Sequence, residues 1–99
     1  MDLQQLTASM YAVIRETNAV DDEVEEATIA SRDHEAHLSV PRAERLQVRI
    51  ADMLHEIGII SGDPSLDLLR AQSPKLVTQL LALTERLTRA REMVVELTP

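Results

Sequence analysis

The sequence has no cysteine, phenylalanine or tryptophan, and one tyrosine among its 99 residues. Without cysteine it forms no disulfide bond, cysteine-ligated zinc site or thiol nucleophile. A net charge of −7 repels phosphate, and the single tyrosine leaves almost no aromatic side chains on which bases could stack. Both observations argue against nucleic acid as a partner. No run approaches the roughly 20 apolar residues of a membrane span, so we expect no membrane partner. The first residues lack a targeting signal, which predicts a cytoplasmic protein.

Hydrophobic residues make up 44% of the chain, and apart from the one tyrosine none of them is aromatic. In three segments they recur at intervals of three and four, the spacing of one face of a helix. The repeat comprises Leu3, Leu6, Met10, Val13, Thr17, Val20, Val24, Ala27, Ser31, His34 and Leu38; then Ala43, Leu46, Ile50, Met53 and Ile57; and finally Leu76, Leu80, Leu83, Leu87, Ala90, Val94 and Leu97. The pattern predicts an all-α fold, an antiparallel helical bundle or coiled-coil-like hairpin of three to four helices.

Proline and glycine positions divide the predicted single domain, residues 1–99, into helices. Pro41, Pro64 and Pro74 suit first helical positions, where the missing N–H has no intrahelical partner. The predicted helices are residues 2–37, 41–57, 64–71 and 74–97, with Gly58 and Gly62 in a loop.

The first segment has two interpretations. As one helix, residues 2–37 measure about 54 Å, which the two shorter helices laid end to end would just cover. A break near residues 18–21 would instead give a compact four-helix bundle. The apolar repeat passes the break without a change of phase, which favours one helix. Because such a helix buries little alone, we expect a homodimer or another partner.

Acidic residues are concentrated in the middle of this segment. Five carboxylates occupy six positions: Asp21, Asp22, Glu23, Glu25 and Glu26. Two aligned copies of this stretch would repel each other. The later helices offer a basic complement at Arg42, Arg45, Arg49, Arg86, Arg89 and Arg91. The acidic stretch therefore predicts either charge pairs within the chain or an acidic surface for a basic partner.

No pattern typical of catalysis or metal binding occurs. His34, His37 and the Asp52–His55 pair fall short of the two Glu-x-x-His pairs of di-metal bundles, so we expect no metal and no cofactor. His34 lies on the apolar stripe, where it is either a half-buried, pH-sensitive contact or an ordinary polar interruption near a helix end. There is no phosphate loop and no nucleophile elbow.

Two minor alternatives remain, a small all-α enzyme and a degenerate helix-turn-helix regulator. Arg15 and Arg32 are candidates for binding a carboxylate substrate, but each is followed by an acidic residue. The second helix of the helix-turn-helix candidate would present Asp63 and Asp67 to DNA phosphates, which oppose binding.

Apolar residues in the loop and in the last helix predict a surface for another protein. Met93 and Val95 do not share the stripe of Val94, and exposed aliphatic and methionine patches are typical of partner sites. The predicted partner-binding residues are Ile59, Ile60, Val77, Leu81, Met93, Val94, Val95 and Leu97. We predict a small, acidic, non-catalytic adaptor, chaperone or inhibitor that binds an amphipathic helix of another protein. The alternative is a structural subunit that self-assembles into a homo-oligomer.

Overall fold

The computed structural model describes residues 1–99 as four helices without strands, which confirms the all-α helical bundle. The helices are α1 (Leu3–His34), α2 (Val40–Ser61), α3 (Ser65–Gln72) and α4 (Pro74–Leu97). The three long helices pack against one another, with α1 and α4 parallel and α2 antiparallel to both. The short helix α3 lies at the end of the bundle where α1 begins. None of the helices combines the length and the apolarity needed to cross a membrane.

Helix α1 is unbroken from Leu3 to His34, so the break considered near residues 18–21 does not occur. A capping box starts it: the Asp2 side chain accepts from the Gln5 N–H at 2.7 Å, and the Gln5 side chain accepts from the Asp2 N–H at 3.1 Å. It ends before the predicted residue 37, because Glu35 adopts a left-handed conformation with φ of 53°. This turn brings Leu38 into the core.

The apolar stripe of α1 is covered within the chain. Helices α2 and α4 lie side by side along it, not end to end, and α3 covers the beginning. The resulting core is one continuous cluster of 23 buried residues. Because the stripe is already buried, the length of α1 no longer provides a reason to expect a dimer.

Helix α2 is longer than predicted, and the expected loop at Gly58 is wrong. The helix continues through Gly58 to Ser61, and Ile59 and Ile60 belong to its last turns. Ile60 lies three residues after Ile57 on the same face and is completely buried. Burial of a large aliphatic side chain stabilises by about 1.5–3 kcal/mol, which outweighs the cost of about 1 kcal/mol for glycine in a helix.

Candidate docking groove between α2 and α4

The three long helices form three pairwise contact lines, which we call seams. Ion pairs between side chains bridge two of these seams. In the α1–α2 seam, Arg49 Nε donates to Glu16 Oε1 at 2.6 Å and Arg49 Nη1 donates to Glu23 Oε1 at 2.9 Å. The two acceptors are separated by two turns of α1, so one guanidinium fixes α2 along α1. The hydrogen bonds to Glu16 and Glu23, opposed by partial burial, raise the pKa of Arg49 above its usual range.

The α1–α4 seam is closed by Arg86. Its guanidinium donates to the Asp21 carboxylate and, at 2.9 Å, to Asn18 Oδ1. Asp21 and Glu23 of the predicted acidic surface therefore pair within the chain, as the first of the two alternatives expected. Asp22, Glu25 and Glu26 are exposed and form no ion pair.

The α2–α4 seam differs, because no side-chain hydrogen bond or ion pair joins the two helices. Near the beginning of α2 and the end of α4 the seam widens into a groove of about 630 Å³ that is open to solvent. Its lining residues are Val40, Ala43, Glu44, Gln47, Val48, Val95, Thr98 and Pro99. The side chains of Val40, Val48 and Val95 are 52%, 60% and 62% exposed. The groove therefore presents apolar surface to water.

Beyond the groove, helical periodicity identifies the residues that lie on the same sides of α2 and α4, because residues three, four and seven apart share one side of a helix. From Val40 and Gln47, the same side of α2 continues through Ala51, Leu54 and Gly58. From Val95, the same side of α4 continues back through Arg91, Thr88, Thr84 and Leu81. Apart from Glu44 and Arg91, these two lines carry uncharged side chains.

The residues predicted from sequence to bind a partner fall into different environments. Val95 lines the groove, Leu81 lies further along the seam, and Ile59 is exposed near the end of α2. Met93 is partly buried and lies in the α1–α4 seam beside Arg86. Four of the predicted partner-binding residues are buried in the core and cannot contact a partner, so the prediction is wrong for them. They are buried because they continue the apolar stripes of their helices: Ile60, Val77, Val94 and Leu97.

Of the eight residues that line the groove, sequence reasoning identified only Val95, and it missed both exposed valines of α2, Val40 and Val48. A signal existed for Val48, because it lies between Leu46 and Ile50 and outside the stripe of the middle helix. Val40 gave none, because the helix was predicted to begin one residue later, at Pro41.

The histidines lie away from the groove lining. His34, His37 and His55 are all exposed, so His34 is a polar interruption near the end of a helix and not the half-buried contact that was the other alternative. Helix α1 ends at His34, which leaves its side chain beyond the packed part of the stripe. The structure brings together no group of three or more side chains able to share a metal ion.

No protein-family model, curated protein or solved structure matches the chain.

Proposed function

We propose that this protein is a small non-catalytic binding module, of the adaptor, chaperone or inhibitor class, that acts in the cytoplasm. Its partner is another protein, which docks in the groove between α2 and α4. The observation that carries the proposal is that this seam alone lacks an ion pair and exposes Val40, Val48 and Val95.

The exposed valines provide the free energy for docking. Burying apolar surface contributes about 25 cal/mol per Å², so three valines covered together with their neighbours give a modest, reversible association. Valines grouped in a groove also differ from single apolar residues scattered over a surface, which need no partner to explain them. Ile29 on α1, which is 50% exposed and does not line the groove, is such a single residue.

A photo-crosslinking amino acid tests the groove directly. Placed at position 48 and activated in cells of the source organism, it should give a discrete adduct with a different protein. The same amino acid at position 29 is the matched control and should give no such adduct. Val95→Gln should remove the adduct from position 48 while changing the free energy of unfolding by less than about 0.5 kcal/mol, as at other exposed positions.

The outcomes separate this function from self-assembly. An adduct composed only of two copies of this chain would favour the structural-subunit alternative. Equal adducts from positions 48 and 29, or none from position 48, would contradict docking in the groove.

A further inference from the structure

We draw no further inference here: the strongest candidate, the apolar groove between the beginning of α2 and the end of α4, belongs to the site already described, and nothing in the structure shows what covers it.

Discussion

Among single residues, Thr17 is the polar side chain that the core buries completely. Its hydroxyl donates to Met53 Sδ at 3.4 Å, whereas Thr7 and Thr28 donate to the carbonyl four residues earlier in α1. A thioether sulfur is a weak acceptor, so this hydrogen bond offsets little of the cost of burying a hydroxyl. The contact joins α1 to α2 at modest energetic benefit.

Thr17→Val should therefore raise the free energy of unfolding by about 0.5–1 kcal/mol, since a valine fills the same space without a polar group. The reverse change one turn away, Val20→Thr, is the matched control and should lower it by about 1–3 kcal/mol. Urea denaturation of the two variants measures both values. A loss of stability in Thr17→Val would mean that the contact with sulfur is stronger than this argument allows.

The coupling energies of the Arg49 ion pairs can also be predicted. Because its side chain is 33% exposed, solvent screens its pairs with Glu16 and Glu23, and each coupling should be about 0.2–1 kcal/mol. Double-mutant cycles of Arg49→Met with Glu16→Gln and Glu23→Gln measure these couplings, which should decrease in high salt. Arg45→Met, on the same helix and without an ion pair, is the control and should change stability by less than about 0.5 kcal/mol.

Among the elements, α4 was the easiest to predict from sequence and α2 the hardest. Pro74 marks the start of α4, and an uninterrupted stripe runs to Leu97, so local signals define the whole helix. In α2, the local signal of Gly58 favours a loop, but burial of Ile60 against other helices overrides it. Such burial depends on tertiary packing, which periodicity within one segment does not describe.

The docking groove was only partly predictable for the same reason. Val95 was identified because it lies off the stripe of its own helix. The absence of ion pairs from the α2–α4 seam, however, depends on which arginine pairs with which carboxylate. Arg49, for example, pairs with Glu16, which lies outside the acidic stretch. Those pairings follow from the relative placement of α1, α2 and α4, which no single segment specifies.

The junction of α3 with the beginning of α1 predicts a dependence on pH. Asp63 Oδ2 accepts from the Met1 ammonium at 2.9 Å, and Asp63 Oδ1 accepts from the Ser65 N–H at 2.9 Å. These contacts, the ammonium first, lower the pKa of Asp63 below that of an ordinary carboxyl group. Because the folded pKa is lower than the unfolded one, the stabilisation is present above the unfolded value, about 3.9, and is lost as the pH falls through the folded value.

Thermal melts of the wild type and Asp63→Asn should therefore differ by a constant amount from about pH 7 to pH 5 and converge below about pH 4. Asp67→Asn, in the exposed first turn of α3, is the control and should show a smaller difference throughout. A gap between wild type and Asp63→Asn that widens in acid would contradict this sign.

At the scale of the whole molecule, the length of α1 determines the shape. The chain extends 48 × 21 × 17 Å, and its radius of gyration of 15.4 Å exceeds the roughly 13 Å of a compact chain of this size. Every long stripe is nevertheless buried within one copy, so elongation here does not require a partner along α1.

We therefore expect light scattering on a sizing column to give the monomer mass of 11.1 kDa over a wide range of concentrations. The protein should still elute earlier than a compact standard of that mass, because it is elongated. A mass twice as large and independent of concentration would support the self-assembling alternative.

The backbone hydrogen bond from the Leu38 N–H to the Leu97 carbonyl, at 2.9 Å, joins the turn after α1 to the last residue of α4. Val40 follows this turn, and Val95 and Thr98 flank the carbonyl, so the bond fastens both walls of the groove at one end. Fraying of the final turn of α4 would break it and spread those walls. The rate at which the Leu38 amide exchanges with solvent deuterium therefore measures how often the groove opens at this end. A partner bound in the groove should slow this exchange.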